Sequence, residues 1–145
     1  MNQEKIDISS SAGQTYLTLL QGTISSMRSN SALCKTLCVT LVAAVGAIAV
    51  TAQNSIVLLI CILPIVLCGV LDAFYLSLEK GYRDKYNMVV QKLRLGELEV
   101  TEIYDMSAPT NYLSVGACKE AFTSWAVWLV YCGMLGLVLI LNLLL

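Results

Sequence analysis

The chain has no histidine, and Lys, Arg, Asp and Glu are missing from two long stretches, Thr36 to Leu71 and Ala121 to Leu145. Without histidine, no Ser-His or Cys-His nucleophilic pair and no His-ligated zinc site can be built. Six cysteines are present, Cys34, Cys38, Cys61, Cys68, Cys118 and Cys132, but no CxxC pair occurs, and thiolates alone at these spacings do not suit zinc. They read as small hydrophobes on apolar helices. No glycine-rich phosphate loop occurs either. The carboxylates Asp72 and Glu79 stand two helical turns, about 10 Å, apart, too far to share one ion. The sequence therefore leads us to expect no catalytic residue, no cofactor and no metal. Basic residues are mixed with acidic ones at a net charge of −1, which leaves no footprint for nucleic acid.

What the chain has in quantity is apolar surface. With 57% hydrophobic and 13% charged residues in a length of 145, it cannot hide that surface in one small soluble core. A helix needs about 20 apolar residues to cross the hydrocarbon core of a bilayer. The first uncharged stretch has 36 residues, enough for two passes, and the second has 25, enough for one. The expected fold is an all-α integral membrane protein with the lipid bilayer as its main solvent.

Residues 1–32 read as an amphipathic N-terminal helix capped by Ser9, Ser10 or Ser11. Tyr16, Leu20, Ile24, Met27 and Ser31 recur on one side, and Gln14, Thr18, Ser25 and Arg28 lie elsewhere around it. Residues 33–52 form the first span. Val50-Thr51-Ala52 offers small residues to a signal peptidase, but the long preceding region and the second span that follows at once favour a retained helix. Thr36, Thr40, Ala43 and Ala47 make a small-residue face that lets a neighbouring helix approach closely. Gln53-Asn54-Ser55 is a tight turn. The second span starts near Ile56, carries Pro64 and a kink or local widening there, and continues without a break signal through Asp72 to Leu95, where Gly96 stops it. Gly81 is the weak point of this rod. Residues 96–120 read as a loop with a short strand at Leu98-Glu99-Val100, Pro109 near its end, and a short helix restarting around Val115. Residues 121–145 form the third span, with Trp125, Trp128 and Tyr131 as a headgroup belt, Gly133 and Gly136 thinning one side, and Asn142 near the far end.

Lys5, Arg28 and Lys35 precede the first span, and Lys80, Arg83, Lys85, Lys92, Arg94 and Lys119 lie between the second and third. The positive-inside rule then places the N-terminus and the 72–120 segment in the cytoplasm and the C-terminus outside.

One constellation stands out. On a helix, Asp72, Tyr75, Glu79, Tyr82 and Tyr86 step by three and four residues and share one face just below the membrane, a polar seam in need of partners. Glu79 precedes Arg83 by four, the favourable order for an intrahelical pair, and Lys80 and Asp84 make a second pair on a different side. Asp72 either sits at a solvated boundary or faces a bundle interior or a pore mouth, bonded to a phenol or to Lys35 at similar depth.

Two blocks carry a family resemblance: Ile24-Ser-Ser-Met27-Arg-Ser-Asn30-Ser31 with Lys35 and Val39-Thr-Leu-Val-Ala-Ala44, and Leu63-Pro64 leading into Leu71-Asp72-Ala-Phe-Tyr75-Leu-Ser-Leu-Glu79-Lys-Gly-Tyr82-Arg83-Asp-Lys-Tyr86. They resemble small bacterial membrane proteins of the SLATT type, effector modules of conflict and antiphage systems. The resemblance spans about Ile24 to Val90. It implies a homo-oligomeric inner-membrane effector that perturbs the membrane once a cytosolic protein or signal fires. The competing expectation is an anchor or scaffold that recruits a cytosolic partner through residues 72–120.

Overall fold

The computed structural model describes residues 11–107, 110–112 and 115–144; the Ser9 and Ser10 caps, Lys5 and Pro109 lie outside the described residues. All regular structure among the described residues is helical. Helix α1 runs from Ser11 to Ala52, α2 from Ile56 to Leu59, α3 from Ile62 to Leu95, α4 from Val115 to Phe122 and α5 from Trp125 to Leu144. Three helical segments, Ser11–Ala52, Ile56–Leu95 and Trp125–Leu144, are long and apolar enough to cross a membrane.

The N-terminal helix and the first span are not two elements. Nothing between Ser31 and Thr36 breaks the backbone, so α1 is one rod of 42 residues, about 63 Å at the α-helical rise. Tyr16, Leu20 and Ser31 are buried and Ile24 and Met27 half-buried, while Gln14, Thr18, Ser25 and Arg28 are exposed. Gln53 ends the rod in the left-handed conformation (φ 48°). Its neighbour Asn54 closes the turn, donating its N–H to the Ala49 carbonyl at 3.2 Å and accepting the Ile56 N–H at 3.1 Å.

Proline 64 acts four residues upstream of itself. Its ring cannot donate to the Ile60 carbonyl and crowds it. The helix accordingly breaks at Ile60–Cys61, where Ile60 N–H bonds Val57 and Cys61 N–H bonds Leu58, so the backbone tightens to i→i+3 bonds instead of widening. From Ile62 the helix is continuous across Asp72 and the buried Gly81 for 34 residues, about 51 Å. Gly96 (φ 65°) stops it, with Glu97 N–H bonding back to the Lys92 carbonyl at 2.9 Å. Beyond it there is no strand at Leu98-Glu99-Val100. Leu98 turns inward to the core, and Val100–Glu102 form a 3-10 turn closed by mutual Glu99 and Glu102 side-chain caps.

Helices α1 and α3 pack as a long antiparallel hairpin, with α4 against α3 and α5 against both halves of the hairpin. Two apolar cores result. One joins Cys38, Val42 and Ala49 to Leu58, Ile65, Cys68, Val127, Tyr131 and Val138. The other joins Tyr16 and Leu20 to Tyr82, Val89, Leu93 and Leu98. The buried polar side chains Ser31, Asp72, Ser77 and Glu79 lie between them. Outside the first core the surface stays greasy: Leu33, Leu37, Ile48, Leu63, Leu67, Ile140 and Leu143 are all more than half exposed, the surface a bilayer would cover.

Candidate functional site

The polar seam of α3 faces α1 and is answered there residue by residue. Lys35 Nζ lies 2.6 Å from Asp72 Oδ2, Arg28 donates to Glu79 Oε1 at 3.1 Å, and Gln21 Nε2 donates to the Tyr86 hydroxyl at 3.1 Å. Each step of seven back along α1 meets a step of seven forward along α3. A seven-residue repeat keeps one face of each helix turned to its partner over successive pairs of turns, so the three contacts form a ladder with rungs about 10 Å apart.

The innermost rung is the most buried. Asp72 has no solvent exposure at all, whereas the Lys35 side chain retains 26%. Ser31 donates its hydroxyl to Asp72 Oδ1, and Lys35 donates to Ser31 Oγ at 3.0 Å. A Ser-Lys pair is the makings of a nucleophile and base, but here the serine hydroxyl is engaged as a donor to Asp72, and Lys35 donates to the serine oxygen. The group is built as a lock between two helices. The ammonium sits off the line of a directed hydrogen bond to Oδ2, so this contact is chiefly charge on charge.

Outward along the ladder the groups meet water. Glu79 Oε1 also accepts from Arg83 at 2.6 Å, the intrahelical pair at i,i+4. Arg28 and Arg83 are both more than half exposed, so this rung contributes far less than the first. Lys80 and Asp84 do not pair; Asp84 instead accepts the Tyr112 hydroxyl. Tyr75 is half-buried and packs edge-on to Phe74, and Tyr82 is buried and donates to the Met106 carbonyl at 3.2 Å.

That last bond belongs to a strap, residues 97–107, laid over the polar end of the hairpin. Tyr16 donates to the Asp105 carbonyl at 2.8 Å, Lys85 reaches the Asp105 carboxylate at 3.0 Å, and Lys92 pairs with Glu102. Ser107, bonded through side chain and backbone, and then Lys85 pull the Asp105 carboxyl down to about 2. Lys92 holds Glu102 below the usual carboxylate range, and burial pushes the Tyr16 phenol up. Sequence reasoning read this segment as an irregular loop. The signal available was Lys85 and Lys92, seven apart on the same helix and facing the acidic residues that follow Gly96.

The residues expected to pack helices lie elsewhere. Thr36, Thr40, Ala43 and Ala47 are all exposed, since α1 meets α3 through Cys38, Val42, Gly46 and Ala49 on its other side. Among the described residues, Gly133 and Gly136 have nothing beyond their own stretch of helix within 4 Å of where a Cβ would stand. Trp125 and Trp128 are exposed at the start of α5 and meet edge to face, but Tyr131 is no belt residue: it is buried, its ring against Gly69 of α3. At the far end, Asn142 donates to the Ser55 carbonyl at 2.9 Å and ties α5 to the hairpin turn. Among the described residues no group of three or more Cys, Asp or Glu is placed to hold a metal ion.

These features define an all-helical chain with three potential membrane-crossing helices, two of them locked together by charge. Comparison with protein-family models, with curated proteins and with solved structures finds no match.

Proposed function

We propose that the chain is a non-enzymatic effector of the bacterial inner membrane, an oligomer that perturbs or permeabilises the bilayer when a cytosolic trigger reaches it, in an antiphage defence system. The observation that carries this reading is the continuity of α1 and α3. Each is one rod with an apolar half and a polar half, and the ladder joins the polar halves. A protein or signal that parts or turns the polar halves therefore moves the apolar halves with them, because a helix without a break transmits rotation along its length. The N-terminus and the strap lie on the cytoplasmic side in this reading, and the C-terminus outside, as the basic residues require. The uncovered small-residue face of α1, with Gly133 and Gly136 of α5, is where copies meet.

The test is expression under control of an inducible trigger with membrane potential as the readout. Depolarisation together with a homo-oligomer on crosslinking supports the proposal. A monomer in mild detergent and an unchanged potential under every trigger tried would sink it.

A second reading, an anchor that recruits a cytosolic protein through residues 72–120, is favoured by one observation. Near the polar end of α3 lies an open hollow of about 580 Å³ lined by Tyr86, Asn87, Val90, Gln91 and Arg94. Reversing charge at Arg94 should abolish docking by an anchor while leaving an effector's oligomer intact.

A further inference from the structure

The Tyr131 hydroxyl is buried in the apolar core and has no hydrogen-bond partner. Its position is well defined by what the ring touches. A Cβ added to Gly69 would stand 3.4 Å from Tyr131 Cγ, so the ring packs against α3 at that point. Asp72 is three residues further on, on the same face of α3. The hydroxyl is within electrostatic reach of the Asp72 carboxylate but does not bond it. Asp72 Oδ2, for its part, is held by the charge of Lys35 and accepts no directed hydrogen bond.

A spare donor on α5 and a carboxylate oxygen without a directed bond on α3 thus lie buried near the same stretch of α3, within electrostatic reach of one another. Buried polar atoms without partners are rare in folded proteins, and the smallest group that serves a donor and an acceptor at once is water. We propose that Ser31, Lys35, Asp72 and Tyr131 form one internal polar site that binds a single water molecule. The water accepts the Tyr131 proton and donates one of its own to Asp72 Oδ2. It joins the third membrane helix to the ion pair that locks the first two, so a movement of α5 loads the Lys35–Asp72 contact. This rests on the proposed function only for what the lock is for, and its test reads folding and not membrane activity.

The experiment is a double-mutant cycle on the full chain in bicelles, with Tyr131→Phe and Asp72→Leu made singly and together and unfolding followed by SDS titration. Tyr131→Phe should lower the folding equilibrium constant about tenfold, and that loss should vanish when residue 72 is already Leu. If Asp72→Leu yields no folded protein, the sign of Tyr131→Phe alone decides. A hydroxyl with no partner is better replaced by hydrogen, so an unchanged or more stable Tyr131→Phe protein overturns the proposal, as does a cycle with no coupling. Density for one water between Tyr131 Oη and Asp72 in a high-resolution map supports it; a map in which that hydroxyl bonds a carbonyl of its own helix overturns it.

Discussion

Lys35 and Asp72 meet at 2.6 Å with unequal exposure: the carboxylate has none, the ammonium stem keeps about a quarter. The lysine is long enough to carry charge from the surface to a buried partner, and the aspartate has no such reach. The pair therefore fixes the depth of both helices. A slide of one turn that carried Asp72 deeper would set it against Cys38 of α1, in the apolar core, without its cation.

Removing only the cation should be expensive. Lys35→Met leaves a buried carboxylate unpaired, and the expected loss of stability is about 3–5 kcal/mol. Replacing both members, Lys35→Met with Asp72→Leu, should recover most of it, because an apolar pair of similar volume carries no desolvation penalty. SDS titration of the three proteins checks this; a double variant no more stable than Lys35→Met would contradict it.

The ladder should weaken outward. Glu79→Gln keeps the shape and removes a charge whose partners are already more than half in water, so about 0.5–1 kcal/mol is expected. Tyr86→Phe removes one exposed hydrogen bond from Gln21 and should cost less than about 1 kcal/mol. The order Asp72, Glu79, Tyr86 in thermal unfolding shifts is the result to look for, and equal shifts at the three rungs would show that burial does not grade them.

Acid should loosen the strap. The Asp105 carboxyl is held at about 2 in the folded chain, below its ordinary 3.8. Its contribution is therefore fully present above about pH 4 and is lost as the pH falls from there toward 2. Glu102, lowered by its bond from Lys92, likewise contributes above its ordinary 4.5 and loses that contribution as the pH falls below it. Hydrogen exchange of residues 99–107, corrected for the intrinsic pH dependence, should accelerate across that interval, and Asp105→Asn should exchange fast even at pH 6.

How much of this was legible in the sequence follows from what each feature depends on. The spans and the stop at Gly96 are local properties, set by runs of apolar residues and one left-handed glycine. The Asp72–Lys35 contact was open to reasoning because two ionisable residues ended consecutive spans at similar depth. The ladder was not, since stepping by three and four along α3 says nothing of where α1 places Arg28 and Gln21 until the hairpin register is known. Tyr131 was read as an interfacial aromatic on the company of Trp125 and Trp128, and only Gly69 on another helix decides that its ring turns inward.

Enlarging the exposed small-residue face should separate folding from association. Thr40, Ala43 and Ala47 are exposed, and lipid accepts leucine as readily as alanine. The triple variant Thr40→Leu, Ala43→Leu, Ala47→Leu should hold its SDS unfolding midpoint within the scatter of the wild type. If copies pack through this face, crosslinked oligomer should fall at least about tenfold, because the bulk keeps two backbones apart. An oligomer that survives the triple change would move the interface to another face.

Gly69 offers the most direct probe of the third helix. A Cβ there would sit 3.4 Å from the Tyr131 ring, ordinary van der Waals contact, so Gly69→Ala should be tolerated and even gain from the higher helix propensity of alanine. Gly69→Val adds two methyl groups where Tyr131 and Phe122 already lie. Overpacking of this kind costs about 1–3 kcal/mol, relieved only if α5 lifts away from α3. The Asn142 bond to Ser55 anchors the far end of α5, so the lift should open the Trp125 end first. Tryptophan emission, quenched from the aqueous phase, should then change for Gly69→Val and not for Gly69→Ala; equal spectra would place the Tyr131 ring off the Gly69 backbone.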